Sequence, residues 1–175
     1  MERIAMNSLV KPIAGLLTSR TDLIEGVLEM MEPLFGEPDI RGDWQAFSHT
    51  NYYEPEMGPD LSRCFVSFSK LMPGEAAAGF KQFTQEVEYR FAVKGRRIVN
   101  IDPGYLDSSK LVLVSGKHGG HKVALAPGAY ADVLLWYNKG WEPLPWAFPD
   151  FRDRSLFSLF TRMRSSFKTQ IKAVG

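Results

Sequence analysis

The stretch Val99–Leu106, which reads VNIDPGYL, decides the predicted fold, because it supplies the last strand in a recognisable order of elements. Its apolar start, together with Ile98, is typical of a strand, and Asp102, Pro103 and Gly104 predict a turn directly after it. Proline fixes φ and glycine permits positive φ, so such a turn holds the Asp102 carboxylate in a defined direction. Folding alone rarely requires this, and the segment therefore predicts a functional site at the end of a strand.

Five further elements precede this strand and complete the order β-α-β-β-α-β. Apolar residues recur at helical spacing in both helices and alternate with polar ones in the later strands. The predicted elements are a strand at Lys11–Thr18, a helix at Asp22–Phe35, strands at Ile40–Tyr53 and Leu61–Leu71, and a helix at Glu75–Val93. This order is that of a ferredoxin-like split βαβ unit, and the alternative is another α+β sheet with helices on one face.

The second half of the sequence predicts an antiparallel β-meander and a closing helix. Glycine-bearing turns separate three strand-like runs, and a loop rich in proline and tryptophan precedes the helix. The runs are Lys110–Ser115, Lys122–Leu125 and Tyr130–Tyr137, the loop is Asn138–Pro149, and the helix is Arg154–Ala173. We therefore expect one α+β domain over residues 11–173, with a mixed or antiparallel sheet and helices packed on it, and a flexible N-terminus at residues 1–10.

The composition is that of an ordinary globular protein and excludes several classes. Of the 175 residues, 45% are hydrophobic and 23% are charged, and the net charge of +1 gives no global field toward nucleic acid or an anionic membrane. The single cysteine, Cys64, excludes an internal disulfide and a cysteine-based zinc cluster. No apolar run reaches the ~18 residues of a membrane span and no targeting signal is evident, so we expect a cytoplasmic protein without a membrane partner. The composition leaves the oligomeric state open.

Carboxylates beside aromatic rings and turns form the first candidate site. Glu54 and Glu56 flank Pro55 next to Tyr53, and Asp102 ends its strand. A carboxylate beside rings can act as an acid or base, and oxygen ligands suit Mg²⁺. We therefore predict catalytic roles for Asp102 and Glu54, and a metal site built from Glu54, Glu56 and Asp102. The alternatives are a solvated loop for the two glutamates and an Asx-turn for Asp102.

Glycines and basic residues from Lys110 to Lys122, around the turn between the first and second of the strand-like runs, form the second candidate site. Glycines let backbone amides approach a phosphate, lysines supply positive charge, and a histidine can carry a proton. The predicted anion ligands are Lys110, Lys117, Gly119 and Gly120, with His121 as a catalytic acid or base and with Asn100 and Tyr105, beside Asp102, as further donors. The alternative is a flexible basic hairpin.

Aromatic residues near the C-terminus can stack on a base or a sugar, although core packing under a long loop is the alternative. Trp146 and Tyr53 are the rings that we assign to the ligand. Asp150 and Arg152 form either a polar end to the pocket or an ion pair that fixes the loop. The last helix is basic on its outer side, which suits either a solvated face or a contact with RNA or an acidic partner.

Five spaced segments in the same order resemble a bacterial family of unknown function, domain-of-unknown-function family 4416. They are HTNYYEPEMG (His49–Gly58), KQFTQEVE (Lys81–Glu88), VNIDPGYL, KLVLVSGKHGGHKVAL (Lys110–Leu125) and PLPWAFPDFR (Pro143–Arg152). The resemblance runs from Lys11 to the last helix. It implies no established activity, although members are sometimes labelled GTP-binding.

The sequence itself argues against P-loop GTPase chemistry. The nearest match to a P-loop, GEAAAGFK at Gly74–Lys81, places Phe80 between the second glycine and the lysine, and Gln82 follows where a Ser or Thr is required. The segment 138–141, NKGW, lacks the aspartate of a guanine-reading NKxD motif. A nucleotide site of another kind stays open.

We therefore expect a protein that binds a phosphate-bearing small molecule or nucleotide in one pocket, with metal-assisted acid/base chemistry as an extension. The alternative is a non-catalytic interaction module that contacts RNA or a protein through the basic helix or the aromatic loop. The first function predicts that Asp102, Glu54 and His121 converge in one cleft. The second predicts that they are dispersed and that an apolar or basic patch is exposed.

Overall fold

A ten-stranded antiparallel sheet organises residues 9–175, the part of the chain that the computed structural model describes. The strands are β1 (Leu9–Thr18), β2 (Pro38–Arg41), β3 (Gln45–Ala46), β4 (Ser62–Phe68), β5 (Met72–Pro73), β6 (Val99–Leu106), β7 (Lys110–Ser115), β8 (Val123–Ala126), β9 (Ala129–Tyr137) and β10 (Trp141–Pro143). The helices are α1 (Ile24–Phe35), α2 (Glu54–Met57), α3 (Phe80–Phe91), α4 (Pro149–Arg152) and α5 (Phe157–Val174), with short 3₁₀ turns at Thr21–Leu23 and Gly74–Gly79. Strand β1 begins two residues before the predicted boundary, and the rest of the predicted flexible N-terminus lies outside the described residues.

The main path of the sheet runs β10-β9-β7-β6-β1-β4-β2. Strands β1 and β2, which α1 joins, are separated by β4, and strands β4 and β6, which α3 joins, are separated by β1. Two interleaved βαβ units of this kind form the split βαβ arrangement. The predicted α+β class and its ferredoxin-like subunit are therefore confirmed.

Helices cover both faces of the sheet. Residues of α1 and α3, such as Met31 and Phe80, pack on one face, and residues of α5, such as Phe160 and Met163, pack on the other. The central strand β1 is buried along almost its whole length as a result. Its sequence therefore reads as a nearly continuous apolar run rather than an alternating one.

A buried lysine joins the first strand to the last helix. The Lys11 side chain is fully buried, and its ammonium group contacts Asp39 and donates to the backbone oxygen of Phe68 (2.9 Å) and to Oε1 of Gln170 (2.8 Å). Burial lowers the pKa of Lys11, and the hydrogen bond to Asp39 opposes this shift. Three acceptors compensate the desolvated charge and tie β1 to β2, β4 and α5.

The predicted turn at Asp102–Gly104 is wrong, because these residues continue β6, which pairs with β1 along its whole length. On the side of β6 that faces away from β1, the backbone of Ile101 forms hydrogen bonds with the side chains of Lys81 and Glu88 in α3. Pro103, two residues on, faces the same side, so its missing N–H leaves the β1 ladder intact. A Cβ on Gly104 would lie 2.1 Å from the backbone oxygen of Val112, so glycine is required for the close approach of β7.

Two further expectations need correction. The predicted strand at Ile40–Tyr53 is instead β2, β3 and a loop that leads into α2. Strand β8 pairs with β9 and not with β7, so the predicted meander is interrupted at that point.

Candidate functional site

Helix α3 covers a part of β6 that has no neighbouring strand on that side among residues 9–175. Strand β7 pairs with β6 at Gly104–Leu106, which leaves the earlier residues of β6 at an edge. There the N–H of Ile101 donates to Oε1 of Glu88 (2.6 Å), and Nζ of Lys81 donates to the oxygen of Ile101 (2.9 Å). Lys81 and Glu88 are two helical turns apart and so share a face of α3. Burial raises the pKa of Glu88, which Lys81 at 3.7 Å opposes.

Arg63 of β4 joins two predicted site residues across β1. Its Nη1 donates to Oδ2 of Asp150 (2.7 Å), and its Nη2 donates to Oδ2 of Asp102 (3.2 Å). A Cβ on Gly15 would lie 2.9 Å from Cε1 of Phe65 and 3.3 Å from Nη2 of Arg63. Glycine in β1 therefore leaves the space through which the guanidinium reaches β6 and α4.

A second arginine holds α2 against the start of β6. Arg97 donates to both carboxylate oxygens of Glu56 (2.6 Å from Nη2 to Oε2 and 3.0 Å from Nε to Oε1) and from Nη1 to Oδ1 of Asn100 (2.8 Å). These bonds lower the pKa of Glu56. Asn100 is 2% exposed, and its Nδ2 has no hydrogen-bond partner among residues 9–175.

Tyr53 lies between these two ion-paired groups. Burial, aided by the negative charge of Asp102, raises the pKa of Tyr53 to about 12. Its ring packs against Phe47, whose ring in turn lies under the Arg63 guanidinium. The structure thus brings together the predicted residues Asp102, Asp150, Tyr53, Asn100 and Glu56.

Sequence reasoning missed both arginines that assemble this group. Each ion pair joins residues far apart in the chain, and local patterns carry no information on such pairs. An arginine inside the otherwise buried strand β4 was an available signal, because a charge on a strand of this kind needs a partner.

The segment between β7 and β8, residues 116–122, is predicted as a hairpin but is a loop, because β8 pairs with β9. The name hairpin is kept for this segment, which lies against the residues that precede α2. The ammonium group of Lys117 contacts the hydroxyl of Tyr52 and lies 4.2 Å from the centre of its ring, and this contact lowers the pKa of Tyr52. Lys122 donates to Oγ of Ser115 (3.2 Å) and to the backbone oxygen of Lys117 (3.2 Å). Both lysines thus donate to neutral oxygens, and their charges are not balanced by these contacts.

His121 contacts a buried carboxylate that sequence reasoning missed. Its Nε2 lies 3.5 Å from Oδ1 of Asp132, which is 3% exposed. Burial raises the pKa of Asp132. The imidazole stacks on Trp146, with ring centres 5.2 Å apart, and the indole N–H donates to the oxygen of Val133 (2.8 Å). An aspartate within the apolar run of β9 was the available signal.

The two groups of residues share one face of the sheet. Gly104 pairs with Leu113, and Leu113 pairs with Asp132. Paired residues point to the same face, as do residues two apart in a strand. Asp102 and Asp132 therefore project from the same face, and the strand spacings place their Cα atoms about 12 Å apart.

Other predicted residues lie elsewhere or make local contacts. Lys110 pairs with Asp107 at the opposite end of β7 from Lys117, and Tyr105, whose pKa burial raises, lies near that pair. Arg152 donates to the backbone oxygen of Pro145, Gly119 accepts a bond from the N–H of Lys122, and Glu54 and Gly120 are exposed. No hydrogen bond or ion pair within residues 9–175 joins Asp102, Glu54 and His121 to one another.

The carboxylates predicted to bind Mg²⁺ are engaged separately. Glu56 pairs with Arg97, whereas Asp102 pairs with Arg63. Within residues 9–175, no three histidine, cysteine, aspartate or glutamate side chains are grouped to hold a metal ion. The geometry therefore lends the metal site no support.

The space beside Arg63 and Asp150 is small. It is also lined by His49 and has a volume of about 20 Å³, room for about one water molecule. A larger open groove lies along α3, beside Met30 and Tyr89.

These features define an α+β protein with a split βαβ core. One sheet face carries carboxylates that are ion-paired with Arg63 and Arg97, and the basic hairpin lies beside them. The chain belongs to the family described as a domain of unknown function, DUF4416, whose model matches residues 8–167. No curated protein matches the chain. Among the described residues, no helix is long and apolar enough to cross a bilayer. The P-loop-like segment is a 3₁₀ turn followed by α3, and Lys81 is bonded within the fold.

Proposed function

We propose that the protein binds a phosphate-bearing small molecule or nucleotide beside the β7–β8 hairpin. The observation that supports this most is that Lys117 and Lys122 both donate to neutral oxygens. An anion would balance these charges and would form charge-assisted hydrogen bonds. Tyr52, whose side chain is 60% exposed next to Lys117, offers a ring on which a base can stack.

The glycines of the hairpin suit the same ligand. Among residues 9–175, no atom lies within 4 Å of the position that a Cβ would occupy on Gly120, and that glycine is exposed. Backbone amides there are open to the close approach of a phosphate oxygen. We further propose that Asp102, which projects from the same sheet face as Asp132, acts as an acid or a base.

The test is calorimetric titration and thermal shift of the purified chain with inorganic phosphate, sugar phosphates and nucleotides. A ligand at ~100 times its dissociation constant adds about 2.7 kcal/mol to stability, which raises the Tm by several degrees. We expect Lys117→Gln and Lys122→Gln each to weaken binding at least tenfold. Lys168→Gln, which removes an exposed charge of α5, is the matched control and should bind normally. Binding that all three variants retain would refute the assignment to the hairpin.

The alternative, a non-catalytic interaction module, draws on a different observation. Trp146 and Phe148 in the predicted loop are 39% and 46% exposed, and Trp136 at the end of β9 is 46% exposed, so these rings face solvent. If the ligand screen is flat, pull-downs with wild type and Phe148→Ala test this function. Loss of a captured partner in the variant would support it.

A further inference from the structure

We infer that Asp132 and His121 form an acid–base dyad that cleaves the phosphate ester held by the hairpin; the inference rests on the proposed binding function. Asp132 contributes Oδ1, which makes no hydrogen bond within residues 9–175 and lies 3.5 Å from Nε2 of His121. Catalytic hydrogen bonds are often this long before substrate binds. The His121 side chain is 35% exposed. Because Nε2 is the nitrogen beside Asp132, Nδ1 is the nitrogen that we assign to the substrate.

The imidazole is held on two sides. Asp132 lies at its edge, and the Trp146 ring lies against its face at an interplanar angle of 22°. Trp146 is itself fixed, because its indole N–H is bonded to Val133 on β9. A buried carboxylate and a stacked ring together limit the orientation of His121, which is the requirement for a positioned proton carrier.

The dyad lies beside the cation that we assign to the phosphate. Lys122 follows His121 directly, and its charge acts on Asp132 closely enough to oppose the effect of burial. Ser115, which accepts a bond from Lys122, shares a sheet face with Asp132, because it lies two residues from Leu113, the partner of Asp132. His121 and Lys122 thus both act on the same carboxylate, and we place a phosphoryl group bound by Lys122 beside the imidazole on this basis.

The reaction that fits is hydrolysis of a phosphate ester. Nδ1 of His121 takes a proton from water as the water oxygen bonds to phosphorus. The phosphorus–oxygen bond to the alcohol, on the side opposite the water, then breaks. The leaving oxygen takes a proton from solvent, and the imidazolium releases its proton to solvent. The products are an alcohol and phosphate, or a monoester if the substrate is a diester. Asp132 stabilises the transient imidazolium, and Lys117 and Lys122 stabilise charge on the phosphoryl oxygens.

The experiment uses p-nitrophenyl phosphate and bis(p-nitrophenyl) phosphate with the full chain and follows nitrophenolate release. We expect His121→Gln to lower kcat by about 10²–10⁴-fold with KM unchanged, the range typical of a lost acid–base group. Asp132→Asn, as a positioning variant, should lower kcat with little change in KM. Added imidazole should restore part of the activity of His121→Gly. His118→Gln is the matched control on the same hairpin, since that ring packs against Tyr130 instead.

The outcomes separate the two proposals. Phosphate binding by calorimetry with turnover of neither ester overturns the dyad and leaves the binding function standing. Absence of both binding and turnover overturns the binding function first. Equal losses in His118→Gln and His121→Gln, or no rescue by imidazole, show that His121 is structural. If Asp132→Asn fails to fold by circular dichroism, the kcat and rescue results for His121 decide.

Discussion

Replacing Arg63 with methionine should lower the free energy of unfolding by about 3–5 kcal/mol, the usual cost of removing one member of a buried ion pair. Methionine keeps apolar bulk beside Phe65 and Phe151, whose rings lie 4.8 and 5.9 Å from the guanidinium carbon. It removes the group that compensates Asp150, which is 6% exposed and would be left as an unpaired buried charge.

Replacement of the two carboxylates should lower the free energy of unfolding by different amounts, and the geometry determines which replacement costs more. Asp150 is the more buried and the closer, at 2.7 Å, whereas the Asp102 side chain is 28% exposed and 3.2 Å away. We therefore expect Asp150→Asn to cost about 1–3 kcal/mol and Asp102→Asn less than about 1 kcal/mol. The double variant Arg63→Met/Asp150→Asn should cost less than the sum of its parts, because it removes both members of the pair.

Urea unfolding at pH 7, followed by circular dichroism, measures all four variants. For a chain of this length, 1 kcal/mol corresponds to about 2–4 °C in Tm, so Arg63→Met should melt about 6–20 °C lower. A loss below about 0.5 kcal/mol for Arg63→Met would refute the reasoning, as would a larger loss for Asp102→Asn than for Asp150→Asn.

Three further predictions concern other parts of the fold. Gly104→Ala should destabilise the protein by more than about 1–3 kcal/mol, the usual cost of overpacking, because the new Cβ would meet the rigid backbone oxygen of Val112 at 2.1 Å; a wild-type urea midpoint would contradict this. Burial raises the pKa of the Cys64 thiol to about 11, so it should not react with a disulfide reagent at pH 8 until urea unfolds the chain, and rapid labelling of the native protein would show that the site is open. Burial raises the pKa of Glu88 above its ordinary 4.5, so the stability that it contributes is fully present below pH 4.5 and is lost as the pH rises through its folded value. The stability advantage of wild type over Glu88→Gln should therefore shrink between pH 4 and pH 7. An advantage that grows over this range would show that the fold lowers the pKa of Glu88 instead of raising it.

The elements with strong periodicity could be predicted from the sequence, and the deviations have physical causes. The bounds predicted for β7 match the structure, because an apolar run between turn residues is a local signal. Pro103 and Gly104 mimic a turn, yet they lie inside β6. The reason lies outside the segment, in an edge that α3 covers and in the close approach of β7. Local patterns do not encode either neighbour.

The candidate site was predictable in its parts but not in its connections. Asp102, Asp150 and Tyr53 are chemically conspicuous in the sequence, whereas Arg63, which joins two of them, is only one polar position in a predicted strand. His121 was identified while its partner Asp132 was not, because the partner lies on another strand. Residue types that suit a chemistry are visible in sequence, whereas the pairing depends on strand register.

The buried ammonium of Lys11 has a consequence for how the chain acquires its structure during synthesis. One of its three acceptors, Gln170, follows it by 159 positions, so the first strand cannot complete its bonding until α5 has left the ribosome. Contacts of such long range are late and slow to form. Until then, burial of the Lys11 charge would lack one of its three acceptors and would cost more than in the complete fold, which disfavours closure around β1 before α5 docks.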